Sequence, residues 1–241
     1  MKLVAATLFV LMSSSAWAEG WNVGPRFGHQ NVKLHSKGFE YSTYSAAVNR
    51  TGPIPLEFEV EKDNDASTTH YNTTVEGIRL GYAGESLTLI SDFDFARYFS
   101  SGIKFDILAL GLAGKYAFVQ TESFRLYGVL GLSLRQLRAK PYETGYAFSS
   151  DGVNYSGKSD SMQASVVNYD LGLGFSMPLS GSMSFVTEYK YSDTITKGTL
   201  ESSTHHTVQN ATDSVAYDSK SKTKNVSMTT QELTLSLMFL L

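Results

Sequence analysis

The sequence predicts an all-β protein, a transmembrane antiparallel up-and-down β-barrel of eight strands, with ten as the alternative count. Three observations predict it. The stretch from Thr229 to Leu241 puts Leu233, Leu235, Leu237, Phe239 and Leu241 at every second position, with Glu232, Thr234 and Ser236 between them. Period two marks a strand with one apolar and one polar face. Earlier segments repeat the pattern, and a closed sheet would pair them all. The connections between them alternate between tight turns and longer polar stretches, giving one plain end and one decorated end.

The first eighteen residues are of another kind. Lys2 is a short positive start, Leu3 to Met12 an apolar run, and Ala16-Trp17-Ala18 a small-residue cleavage site. The run is too short to span a bilayer. We therefore expect a signal peptide at 1–18, cleaved after Ala18, and one barrel domain at 19–241.

Strand one is Trp21 to Leu34, alternating Trp21, Val23, Pro25 and Phe27 with Asn22, Gly24, Arg26 and Gly28. Residues 35–71 are mostly polar and read as a long loop. Strand two, Asn72 to Ala83, sets Ile78, Leu80 and Tyr82 against Gly77, Arg79 and Gly81, and ends at the turn Ala83-Gly84-Glu85-Ser86. Strand three, Leu87 to Arg97, sets Leu87, Leu89, Phe93 and Phe95 against Asp92 and Asp94. A short loop near Ser100-Ser101-Gly102 leads to strand four, Phe105 to Gln120, with Leu108, Leu110, Leu112, Tyr116 and Phe118 opposite Ala109, Gly111, Ala113 and Lys115. Thr121-Glu122-Ser123 is the second tight turn. Strand five, Phe124 to Arg138, carries Leu126, Leu130, Leu132 and Leu134 against Arg125, Tyr127, Ser133 and Arg135. Residues 139–163 read as a loop. Strand six runs from Ala164 to Leu179, followed by the turn Ser180-Gly181-Ser182 and strand seven, Met183 to Ile195. Residues 196–225 read as a last loop before strand eight.

The polar face decides which side looks outward. A water-facing exterior would be dense in Lys and Glu, yet this face is largely Gly, Ala, Ser and Thr. Its charges are of both signs: Arg26, Arg79, Lys115, Arg125, Arg135 and Lys190 against Asp92, Asp94, Asp170, Glu188 and Glu232. Such a near-balance suits a crowded lumen where charges must pair. The apolar face then meets lipid, where a Lys or Arg would cost about 2–4 kcal/mol at the midplane. Tyr82, Phe118 and Phe124 by the turns, and Phe95, Tyr98, Phe99, Phe105, Tyr189 and Tyr191 by the loops, read as interfacial girdles.

Two strings resemble a known family. SFVTEYKYSD, Ser184 to Asp193, resembles the seventh strand, and YGVLGLS, Tyr127 to Ser133, is similar to the fifth strand, of the small outer-membrane β-barrel ("porin family") proteins related to the OmpA membrane domain, OmpX and the opacity proteins. The resemblance implies eight strands around a side-chain-filled interior, in the outer membrane of a Gram-negative bacterium. Leu241 stands where that family ends in Phe or Trp, and Phe239 is the nearby aromatic for recognition by the barrel-assembly machinery. The strand count stays open at Ile54, Leu56, Phe58 and Val60, which alternate with Pro55, Glu57 and Glu59. A hairpin with 39–50 would either rise above the membrane or cross it. Eight is favoured, because inward glutamates there would lack partners.

Composition narrows the function. The net charge of −3 suggests no nucleic-acid partner, and the lack of cysteine removes disulfide and thiolate chemistry. Asp92 and Asp94 share a face, as paired catalytic carboxylates do, but no matching Asp-His pair follows on a later strand. Salt bridges to Arg79, Arg125 or Lys115 are the expected role. His205-His206 on an extended chain point apart, a poor chelate, and read as part of a solvated loop. His35-Ser36 face opposite ways, which disfavours a deacylase pair. The sequons at Asn72 and Asn210 carry no information. We expect no catalytic residue, no cofactor and no metal. The expected partners are lipopolysaccharide or phospholipid and a host or phage ligand on the loops, with the barrel a monomer. Three functions stay open: a non-enzymatic surface barrel supporting envelope integrity, a narrow channel for small or hydrophobic solutes, and a lipid-modifying enzyme.

Overall fold

The first and last strands pair with each other, and that pairing closes the sheet. The computed structural model describes residues 20–49, 60–84, 86–100, 103–141, 145–150, 152–209 and 214–241. Among the described residues eleven strands follow in order: β1 Gly20–Asn49, β2 Val60–Ala83, β3 Leu87–Ser100, β4 Ile103–Gln120, β5 Arg125–Pro141, β6 Gly145–Ser150, β7 Val153–Ser159, β8 Met162–Ser180, β9 Met183–Thr196, β10 Gly198–Gln209 and β11 Ser214–Leu240. Eight of them, β1, β2, β3, β4, β5, β8, β9 and β11, form an antiparallel ring closed by β1 against β11. The protein is a membrane-type β-barrel of eight strands. The expected signal peptide and the run Ile54 to Glu59 lie outside the described residues; Val60 opens β2, opposite Ser42.

The expected facing holds. Leu112 and Leu130 are 65% and 66% exposed, whereas Arg26 and Arg79 are fully buried. A closed sheet leaves leucines outside only if something other than water covers them. The tight turns are built locally. Thr121 N–H donates to the Phe124 carbonyl at 2.9 Å, and Thr121 Oγ1 accepts from Phe124 N–H at 3.1 Å.

The long connections are corrected by the structure. Residues 35–71, 139–163 and 196–225, read as loops, carry much of the sheet. β1 has 30 residues and β11 27. At about 3.3 Å per residue they reach far past an apolar band about 25 Å tall. β6 and β7 form a hairpin, β10 joins β7 to β11, and these strands with the upper parts of β1 and β2 stand above the barrel. Polar side chains hid these strands, because their outer face meets water rather than lipid.

The polarity of both faces inverts at one height. In β1 the inward Arg26 and Gln30 give way to Val32 and Leu34, while the outward Phe27 gives way to His29, Asn31 and Lys33. The same exchange takes Arg79 to Val75 in β2, Arg135 to Leu137 in β5, Asn168 to Val166 in β8 and Glu232 to Met228 in β11. Outside, Ile78 yields to Glu76 and Leu134 to Gln136 and Arg138. This inversion also corrects the girdle. Tyr98 and Phe105 are 5% and 8% exposed and point inward, opposite each other in the β3–β4 register. Phe99, Tyr189, Tyr82 and Phe118 do face outward. Position parity already separates Phe105 from Leu108; clustering of aromatics near a strand end obscured it.

Small interior residues let the ring close tightly. Gly174 of β8 lies opposite Tyr127 of β5, and a Cβ on it would fall 2.3 Å from the Tyr127 ring. Gly174→Val should push that ring aside and cost about 1–3 kcal/mol. Urea unfolding of the vesicle-reconstituted protein, followed by loss of the heat-modifiable gel band, measures the cost; Gly128→Ala, where nothing lies within 4 Å, is the neutral control.

Candidate functional site

The interior is the natural place to look for a pore or a catalytic centre, and it is layered. Nearest the tight turns, Tyr127, Val129, Val186 and Met238 pack with Ala113 and Ala117. Charged residues occupy the middle. Toward the decorated end, Val32, Val75, Tyr98, Phe105, Ile107, Leu137, Val166, Val226 and Met228 form a larger apolar cluster. Tyr71, Tyr98 and Phe105 stack there, with centroids 3.9 Å apart for the tyrosines and 4.6 Å for Tyr98 and Phe105.

The charged layer is one connected network. Arg26 of β1 bridges Asp94 of β3 and Glu232 of β11. Lys190 of β9 lies 3.9 Å from Glu232 and 3.0 Å from Asp92. Arg79 holds Asp92 through Nε at 2.6 Å and Nη2 at 2.8 Å, and its Nη2 also reaches Glu188 of β9 at 2.5 Å. Lys115 of β4 meets Glu188 at 2.5 Å, and Tyr127 Oη donates to it at 2.8 Å. β2 and β4 are not neighbours of β9 in the ring, so Glu188 ties the walls together across the lumen. A second group lies higher: Arg135 is 3.9 Å from Asp170 and donates to Ser192 Oγ at 3.0 Å. Gly174 serves this layer too, since its missing side chain lets Tyr127 lie over β8 on the way to Glu188.

Every residue of the expected lumenal set is buried on the inner face. The pairings differ from those expected. Asp92 does meet Arg79, but Asp94 meets Arg26, Lys115 meets Glu188, and Arg125 sits nearer the turns, lining a cavity of about 100 Å³ with Arg79, Lys115 and Tyr127. That space is roomy enough for several waters, which would satisfy Arg79 Nη1, a buried donor with no protein partner. It does not run through the barrel: the charged and upper apolar layers stand between it and the other end. Sequence reasoning missed Tyr127, Ser133, Asn168 and Ser192 as partners; their parity on the inner face was the available signal.

Each central carboxylate is held by cations, and no histidine is part of the network. Among the described residues, no group of three His, Asp or Glu is placed to hold a metal ion. His35 Nδ1 contacts Thr68 Oγ1 at 2.9 Å. His205 and His206 lie on β10, not in a loop, and take separate partners: Asp218 Oδ1 at 2.5 Å and Ser219 Oγ at 2.7 Å.

Comparisons with known proteins find similar shapes. Neisserial surface protein A matches with TM-score 0.47 and 14% identity, over 88% of this chain and 97% of that one. OprG of Pseudomonas aeruginosa gives 0.41 and 13%, over 92% and 98%. Ail of Yersinia pestis gives 0.38 and 15%, over 92% and 100%. No family model matches the sequence, and no curated protein does.

Two outcomes follow. Arg79→Met leaves Asp92 and Glu188 short of a buried cation and should cost about 3–5 kcal/mol, read by urea unfolding in vesicles. Burial pushes His206 below the usual histidine range, with Asp218 opposing and His205 reinforcing. A lowered folded value favours the neutral ring, so its contribution is whole above the unfolded value of about 6.5 and is lost as pH falls. Amide protection factors in β10, taken relative to the intrinsic exchange rate at each pH, should be lower at about pH 5 than at about pH 7.5, and His206→Gln should flatten the difference.

Proposed function

We propose that this protein is a non-enzymatic outer-membrane barrel. Its lumen is closed, it supports envelope integrity, and it presents a tall polar sheet outside the cell for contact with host, phage or envelope components. The observation that carries the reading is the filled interior: apolar, ionic and apolar layers in series, with the ionic layer joined across the lumen by Arg79, Lys115 and Glu188. Eight strands enclose room for side chains and little more. The orientation follows the general rule that tight turns face the periplasm and long strands and loops face outward. Exposed polar surface on a rigid scaffold is suited to binding.

The channel reading would need a continuous wet path, and the enzyme reading a carboxylate or serine beside a free base; the described interior favours neither. Reconstituted in planar bilayers, the protein should be silent, and stable discrete conductance would overturn the closed lumen. Mass spectra of lipid A should be identical with and without expression. On intact cells, protease should cut within 145–159 or 198–220 and spare the turn at Thr121 to Ser123.

A further inference from the structure

The outer surface just above the lipid belt is uneven. Leaving the belt, β3, β4 and β5 carry Arg97, Lys104, Arg138 and Lys140, with Asp106 the carboxylate among them. On β9, β11 and β1 the corresponding outward residues are Asp193, Gln231, Thr229, His29 and Asn31, with Lys33 a step higher. The basic residues therefore gather on one arc.

Their register brings them together. Arg97 lies opposite Asp106, which lies opposite Arg138, and Lys104 lies directly opposite Lys140. Asp106 is 2.6 Å from Arg97 Nε and 3.8 Å from Lys104 Nζ, so two cations share it. Arg138 Nε donates to Ser161 Oγ at 3.2 Å, a neutral partner. Among the described residues no carboxylate reaches Lys140. Like charges opposite each other on adjacent strands destabilise a sheet unless an anion lies between them. Arg97 also stands over the Phe95 ring, 5.1 Å from its centroid, at the top of the belt. Below the patch, Leu108, Leu110 and Leu134 are exposed.

We propose that this arc binds a phosphorylated glycolipid of the outer leaflet, its acyl chains on Leu108, Leu110 and Leu134 and its phosphates on Arg138, Lys104 and Lys140. A phosphate beside acyl chains matches a cationic cluster beside exposed leucines, and Arg and Lys are the side chains that bind such oxyanions. Lys104 and Lys140 stand on adjacent strands about 4.8 Å apart, and Arg138 lies about 7 Å from Lys140 along β5, a spread of three cations that suits a headgroup with two phosphates better than a single phosphodiester. The assignment rests on the outward orientation proposed above, which cell-surface proteolysis tests separately.

The experiment is native mass spectrometry of the folded barrel released from detergent containing bis-phosphorylated lipid A, its dephosphorylated counterpart or phosphatidylglycerol. Bound bis-phosphorylated lipid A should be retained. Lys104→Gln/Arg138→Gln/Lys140→Gln should weaken retention about tenfold or more, while Lys33→Gln/Lys37→Gln should leave it unchanged. Heat-modified gel mobility confirms folding; if the triple variant does not fold, Lys140→Gln alone should weaken retention about threefold. Equal retention by the basic-arc variants, or equal retention of the dephosphorylated lipid or phosphatidylglycerol, would overturn the proposal.

Discussion

Everything in this molecule depends on the seam between β1 and β11. In hydrocarbon a backbone N–H or C=O has no water to fall back on, and each unmet group costs several kcal/mol. The seam runs from Asn22 opposite Leu240 to Asn49 opposite Ser214, and its register shifts only between Ser45 and Val48. It therefore closes the ring inside the membrane and continues as an ordinary sheet edge-to-edge contact above it. Asn225, with φ of 52°, and Gly38, with φ of 90°, sit near each other on the two strands. Asn225 Nδ2 donates to the Lys37 carbonyl at 3.2 Å, so the backbone departs from regular geometry on both sides without shifting the β1–β11 register.

Closure brings a second constraint, because a narrow ring forces whatever points inward into contact. Buried ions gain only when their partners and remaining hydrogen bonds are supplied together. Here Glu188 receives Arg79, Lys115 and Tyr127 from three different strands. The network acts as a brace between walls that share no backbone hydrogen bonds.

Much of this was legible in the sequence. Strict alternation located all eight ring strands, the three tight turns, and the face on which each lumenal charge would lie. What was not legible was of two kinds. Partners across the lumen depend on ring geometry, and nothing in the spacing of Asp94 and Arg26 announces that they meet. The upper strands were hidden for a different reason. Periodicity reports which residues share a face but not the medium that face meets. Once His29, Asn31 and Lys33 replaced the leucine-like pattern outside, Val32 and Leu34 no longer looked like part of the same wall, although their parity is that of Arg26. Tyr98 and Phe105 were misplaced by the same change of medium.

The exchange of polarity along each strand has a mechanical consequence. A barrel with a uniform greasy exterior can ride up or down in its bilayer at little expense. This one has a waterline. Sinking it by two residues per strand would draw Glu76, Arg97 and Arg138 into hydrocarbon, and raising it by as much would strip lipid from the leucines at the lower rim. The protein is thereby keyed to a membrane of one thickness, and the surrounding lipids, rather than the barrel, must adjust when that thickness changes.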